Sequence, residues 1–330
     1  MLREGTPAPR PQGDAPANAL PATEQALAAA GDLDLLPLPQ LLQRLHDANA
    51  SSAQAVAAAL PQVERVVDLL VAGWRRGGRL VMVGAGTSGR IAAAEAAECP
   101  PTFGTAPERV VAVLAGGERA LREAVEGAED DAAAGGGAMD GLAVGPADLV
   151  LGVSASGTAP FVVAAVRRAA ERRAPTAGLT AVATSPLAVA AGIPLVLATG
   201  PEAVAGSTRM KAGTAQKMAL NLLTTAAMIR LGHVYGNRMV DFQPTNAKLR
   251  ARAVRTVAEV AHVAPAAAEA ALETCAWRVK PAIVCAALRV GAPEAERLLA
   301  AAEGDLRRVW RGRAAVARGD LEGRDRTVWG

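Results

Sequence analysis

Aromatic side chains are nearly missing: Phe, Trp and Tyr make up 2% of the 330 residues, and there is a single Tyr. The core must therefore be built from Ala, Val and Leu. The hydrophobic content of 51% supplies them, and the chain is long enough to bury a large core. Cysteine is equally sparse. Cys99, Cys275 and Cys285 form no CxxC pair, and no Cys/His group has zinc spacing. His46, His233 and His262 are isolated from one another, so neither a metal site nor a histidine-based triad has support. Such cysteine usage fits a reducing, cytoplasmic setting. The net charge is only +3 at a pI near 9.0, and the arginines are scattered. No dense Lys/Arg run alternates with aromatics, which argues against nucleic-acid binding.

The N-terminal segment has no apolar core and so does not read as a signal peptide. Its Pro/Ala composition predicts a disordered leader over residues 1–21. Ala174–Pro201 carries no charge, but Pro175, Pro186, Gly192 and Pro194 break it into strand, helix and strand. A membrane span is rejected there.

Apolar spacing predicts helices over Pro39–Asn49 and Ala53–Arg75. Strands and helices then alternate. "RLVMVGAG" leads into the helix Ser88–Ala97, "RVVAVLAGG" into Glu118–Val125, and "ADLVLGVSASG" into Pro160–Arg172. "GLTAVAT" and "IPLVLAT" provide a fourth and a fifth strand, and Lys211–Leu231 reads as a long helix. Units this short predict right-handed βαβ crossovers: an α/β fold with a parallel five-stranded sheet flanked by helices. The resulting division is 22–75 for N-terminal helices, 76–245 for the sheet domain, 246–310 for a small C-terminal helical appendage, and 311–330 for a flexible tail.

Ligands of open parallel sheets bind beyond the carboxyl ends of the strands. After the first strand, "GAGTSGR" (Gly84–Arg90) matches GxGxxG, but the acidic residue that should end the second strand is missing. The loop also holds hydroxyls, Thr87 and Ser88, that a pyrophosphate turn does not need. The third strand ends in a similar loop, "SASGT", Ser154–Thr158. Two such loops, each opening a helix, form a compact cradle suited to a monophosphate. For either loop alone, helix capping is an equal alternative.

Two acidic stretches stand out. Glu98 precedes Cys99-Pro100-Pro101, and proline disfavours a helical residue before it, so the helix is expected to stop there. A helix C-terminus disfavours a second negative charge, and partial burial would then raise the Glu98 pKa toward that of a proton donor. The residues alone favour the plainer alternative, a solvated glutamate. "VEGAEDD" offers Glu126, Glu129, Asp130 and Asp131, again with a solvated turn as the alternative. Cys99 has no His or Cys partner near it in sequence and reads as packing. In "GSTRMKAGTAQK", Ser207 and Thr208 suit a cap of the long helix, and Arg209 and Lys211 suit an anion. The sum is a phosphosugar enzyme that moves protons, or a phosphosugar sensor using the same cradle.

Five strings in order, "VGAGTSGR", "ECPPTFGT", "AVEGAED", "GSTRMKAGTAQK" and "YGNRMVDFQPTNAKLR", resemble the N-acetylmuramic acid 6-phosphate etherase family, a branch of the sugar isomerase (SIS) domain proteins. The likeness runs from about Leu60 to Leu299; upstream, Thr23-Glu24 and Asp32-Leu33-Asp34 look like the family's N-terminal landmarks. The resemblance implies an SIS-type sheet domain and cleavage of a D-lactyl ether by elimination and hydration. It also implies a homodimer that uses no metal or cofactor. By position, Glu98 matches the proton donor and Glu129 the second catalytic glutamate. The phosphate is then expected on Thr87, Ser88, Ser154, Ser156 and Thr158, with Lys211 nearby. There are departures. "SASGTAPF" stands where "AASGRTPY" is usual, so Thr158 replaces an arginine, and Glu95 and Ala97 replace Asp and Ser. A non-catalytic phosphosugar-binding regulator and an aldose–ketose isomerase remain the alternatives on the same fold.

Overall fold

A computed structural model describes residues 20–28 and 31–317. The expected leader lies outside the described residues except for its last two positions, as does the tail beyond Ala317.

Five strands, β1 (Leu80–Gly84), β2 (Val110–Leu114), β3 (Leu149–Val153), β4 (Thr176–Thr180) and β5 (Ile193–Val196), form one parallel sheet in the order β2-β1-β3-β4-β5. The three inner strands are buried at every position, as the apolar runs of β1 and β3 require, and β4 is buried even at its terminal Thr176 and Thr180. Alternation along β1 divides the core in two. Leu80 and Met82 join one cluster with α2 (Leu60–Arg75), α3 (Gly86–Phe103) and α7 (Lys211–Arg230). Val81 and Val83 join another with α4 (Ala132–Gly141), α5 (Pro160–Glu171) and α6 (Pro186–Ala190). Pro194 sits on edge strand β5, where a missing N–H is tolerated. This is the expected α/β architecture, and no helix among the described residues is long and apolar enough to cross a membrane.

Before the sheet, α1 (Leu38–Ala58) is continuous where two pieces were expected, and the break comes only at Ala59, before Pro61. After it, β6 (Val234–Tyr235) and β7 (Arg238–Met239) make a short hairpin. The helices α8 (Ala247–Ala261), α9 (Pro265–Thr274), α10 (Val279–Leu288), α11 (Ala292–Ala301) and α12 (Leu306–Ala317) then gather around their own apolar cluster. Helix α12 continues past residue 310 into the stretch expected as tail.

Three local expectations are corrected. The segment after β2 forms only a short 3-10 turn, Gly117–Leu121, where the helix Glu118–Val125 was expected. Helix α4 supplies the crossover instead. Its "AAAGGGAMDG" has poor intrinsic helix propensity, so pattern reasoning passes over it. Packing against α5 stabilises it: a Cβ on Gly135 would lie 2.1 Å from the Phe161 carbonyl oxygen, so only glycine permits this approach. Third, α3 does not stop at Glu98 but runs through Pro100 and Pro101 to Phe103, where Gly104 (φ 66°) caps it. Each proline removes one helical hydrogen bond, yet its φ suits a helix, and the extra turn buries Cys99 and Phe103 on the core.

One ion pair fixes the start of the sheet. Arg79 Nε and Nη2 donate to Asp148 Oδ1 and Oδ2 at 3.0 and 2.9 Å, while the Arg79 and Gly145 amides donate to the same carboxylate. Burial pushes the Asp148 carboxyl up, but these hydrogen bonds outweigh it and hold the group below the usual carboxylate range. A depressed carboxyl stabilises the fold above its unfolded pKa of about 3.9, and that stability disappears as pH falls through the folded value. Asp148→Asn should therefore cost about 2 kcal/mol in urea unfolding at pH 7, less than a fully buried pair because Arg79 remains partly in water. Its stability should also fall less steeply than wild type below pH 4. An unchanged midpoint at pH 7 would show that the pair is not holding β1 to β3.

Candidate functional site

Strand order reverses at β1, which pairs with β2 on one side and β3 on the other. The loops leaving β1 and β3 therefore diverge and open a crevice at the carboxyl edge of the sheet. A cavity of about 570 Å³ occupies that crevice. Its walls include Thr87 and Ser88 from the first turn of α3 and Ser154, Ser156 and Thr158 from the loop before α5. The structure thus brings together all five hydroxyls expected from the sequence. Other cavities, of about 490 and 630 Å³, lie beside the C-terminal helices and hold none of the expected site residues.

The glycines of "GAGTSG" serve close packing. Gly86 takes a φ of 52°, and a Cβ on Gly89 would meet the Gly84 carbonyl oxygen at 2.8 Å, so the helix can start directly against the strand end. The N-cap positions of α3 and α5 are Ala85 and Ala159, which have no capping side chain. The capping alternative for the hydroxyls therefore fails. Ser154 Oγ instead accepts from the Gly157 amide at 3.1 Å, and Ser156 Oγ lies 2.7 Å from Thr158 Oγ1, bonds that shape the loop. Both uncapped first turns line the cavity, where backbone N–H groups and the positive ends of the helix dipoles favour an anion.

Glu129 also lines the cavity, on a 3-10 turn (Ala128–Asp130), with Asp130 beside it. Asp131, next along, caps α4 by accepting from the Ala134 amide at 2.8 Å. Two residues outside the expected set complete the wall. Thr208 comes from the loop before α7, and Glu24 comes from the N-terminal segment. Glu24 arrives through a 3-10 turn (Ala22–Glu24) in which Thr23 is buried and its carbonyl accepts from the Gly206 amide at 3.2 Å. No periodicity signals a contact across so much chain; the only hint in the sequence was the family landmark Thr23-Glu24.

Two expected site residues do not reach the cavity. Lys211 is buried, its Nζ donating to the Thr199 carbonyl at 2.7 Å, and burial lowers its pKa while Glu202 opposes the shift. Glu202, fully buried, also replaces the expected Ser207/Thr208 cap of α7 by accepting from the Lys211 and Ala212 amides at 3.0 and 2.9 Å. Glu98 is exposed on α3, outside the cavity and more than one turn from the helix end at Phe103. Within one chain Glu98 is thus neither buried nor at the helix terminus, the two conditions expected of it from the sequence. One turn earlier, Glu95 faces inward. It accepts from Thr224 Oγ1 at 2.6 Å and from Lys217, tying α3 to α7.

Cys99 is buried, and burial, with the Glu95 charge adding to it, pushes its thiol up to about 12. Cys275 and Cys285 lie 3.4 Å apart within the C-terminal cluster, and burial followed by the Cys285 hydrogen bond takes Cys275 to about 12 as well. At pH 8.5, iodoacetamide should label none of the three in the folded protein and all three in urea, read by intact mass. Labelling of folded Cys99 at the rate of a free thiol would contradict its reading as packing.

Residues 131–226 match the SIS domain family model, and residues 62–170 match the model described as the glucokinase regulatory protein N-terminal SIS domain. Among relatives, N-acetylmuramic acid 6-phosphate etherase of Deinococcus radiodurans is 48% identical over 87% of this chain and 94% of its own. The enzymes of that name from Rubrobacter xylanophilus and Salmonella dublin are 47% and 45% identical over 84% of this chain and 93% of theirs. Identity at this level over most of both chains shows that this chain belongs to the N-acetylmuramic acid 6-phosphate etherase family.

Proposed function

We propose that this chain cleaves the D-lactyl ether of N-acetylmuramic acid 6-phosphate, releasing D-lactate and N-acetylglucosamine 6-phosphate in the recycling of cell-wall amino sugars. The observation that carries the reading is Glu129 facing a cradle of five hydroxyls and two uncapped helix starts. A phosphosugar sensor needs the cradle but not the carboxylate. On this reading residues 76–245 are the phosphosugar-binding unit, with 22–75 packed on it and 246–310 a separate helical unit, in a cytoplasmic homodimer that binds no nucleic acid.

The chemistry follows from the open-chain sugar, whose C1 aldehyde acidifies the C2 proton. Glu129 takes that proton, the C3–O bond breaks as an acid protonates the lactyl oxygen, and water adds to the resulting unsaturated aldehyde. Each positioned acid or base contributes roughly 10²–10⁴ in rate. The phosphate rests on the hydroxyls and helix N-termini, at the end of the substrate away from the reacting carbons.

Incubation with N-acetylmuramic acid 6-phosphate should release D-lactate, and no release at micromolar enzyme would sink this reading. In deuterated solvent, Glu129→Ala should lose exchange at C2 along with lactate; retained exchange would remove Glu129 as the base.

Glu98, exposed and outside its own cavity, would act as the acid in the cavity of the second copy. Co-expressed Glu98→Ala and Glu129→Ala chains should then recover about a quarter of wild-type activity, since half the dimers are mixed and each has one complete site. Two inactive variants that stay inactive when mixed would exclude supply of the acid across the dimer.

A further inference from the structure

The cavity has an unusual charge for an anion site. Among the described residues no Lys, Arg or His lines it, whereas Glu24, Glu129 and Asp130 do. Each carboxylate repels a phosphate, so each lowers affinity unless it makes a compensating contact. Glu129 has a role in the proposed reaction. Asp130 is its neighbour on the same turn. Glu24 has no such explanation, for it comes from a segment far upstream whose attachment puts it there.

That attachment is specific. Thr23 is 1% exposed and its carbonyl receives the Gly206 amide. A Cβ on Gly206 would come within 3.3 Å of Glu24 Oε2, so the carboxylate lies along the loop that also delivers Thr208 to the cavity. Glu24 is exposed and its side chain makes no hydrogen bond or ion pair among the described residues, which leaves both carboxylate oxygens free to accept. An unpaired carboxylate beside a phosphate cradle suits the donor-rich part of an amino sugar phosphate, its hydroxyl and acetamido N–H groups.

We propose that Glu24 is a substrate-binding residue, accepting a hydrogen bond from the hydroxyl or amide donors of the sugar while its charge works against the phosphate. The proposal rests on the phosphosugar reading of the cavity but does not need turnover. It assigns a direction as well as a contact: the phosphate lies toward Ser88 and Ser154, and the sugar body toward Glu24.

The two effects have opposite signs, and calorimetry separates them. For Glu24→Ala, inorganic phosphate should bind about threefold tighter as a repelling charge is removed. N-acetylglucosamine 6-phosphate should bind about tenfold weaker as a charge-assisted hydrogen bond is lost. Glu24→Gln should show the same phosphate gain and a smaller sugar loss, because its amide oxygen still accepts. The melting temperature should not move, since the side chain is unpaired. Weakening of both ligands would mean a collapsed cavity, tightening of both a charge effect alone, and no change in either a bystander; each overturns the proposal. Wild-type protein that binds both ligands but releases no D-lactate would defeat the reaction and leave this assignment standing. Protein that binds neither would defeat both.

Discussion

The reversal of strand order at β1 is the constraint on which the rest depends. With β2 on one side and β3 on the other, the connections out of β1 and β3 must run to opposite faces of the sheet. One leads into α3 and the other into α5, so two helix N-termini converge on one opening from opposite layers. The Arg79–Asp148 pair acts at the far end of the same two strands, fixing their stagger where no ligand competes. The ion pair lies at the amino ends of the strands and the cavity at their carboxyl ends. The two loops are thus free to carry glycine and hydroxyl residues that contribute little to the core.

Much of this was legible in the sequence because it rests on local patterns. Apolar runs marked the strands β1 and β3, and a glycine-and-hydroxyl loop after each of them located the cradle. What was missed depends on contacts distant in sequence. Helix α4 exists because Gly135 lets it press against α5, a condition that propensity cannot show. The cap of α7 is Glu202, nine residues before Lys211, because a buried carboxylate received two amides that Ser207 and Thr208 do not reach. Glu24 joins the cavity through one backbone hydrogen bond across the fold.

Glu98 shows how a sound local rule can be overruled. Proline disfavours a helical residue before it, but Cys99 and Phe103 gain enough core contact for α3 to continue through Pro100 and Pro101. The extra turn moves the helix terminus away from Glu98 and leaves the side chain in water. Its inward neighbour Glu95 takes the buried position instead, paired to Lys217 and Thr224. Helix α3 therefore presents one carboxylate to the core and another to the outside.

The charge of the cavity and the replacement at Thr158 bear on one another. An arginine at that position would attract phosphate from a distance, whereas hydroxyls and amides act only on contact. A fixed cation beside a general base also favours its ionised form and weakens it as a proton acceptor. A cradle of neutral donors gives up long-range attraction, and among the described residues the carboxylates of the cavity have no neutralising partner. On the proposed reading, affinity for the phosphate depends on the number and direction of the hydrogen bonds made by Ser88, Ser154 and the two helix starts. On the same proposal, discrimination between phosphosugars falls to the acidic wall, because a carboxylate that repels bare phosphate is offset only by a ligand with donors to offer it.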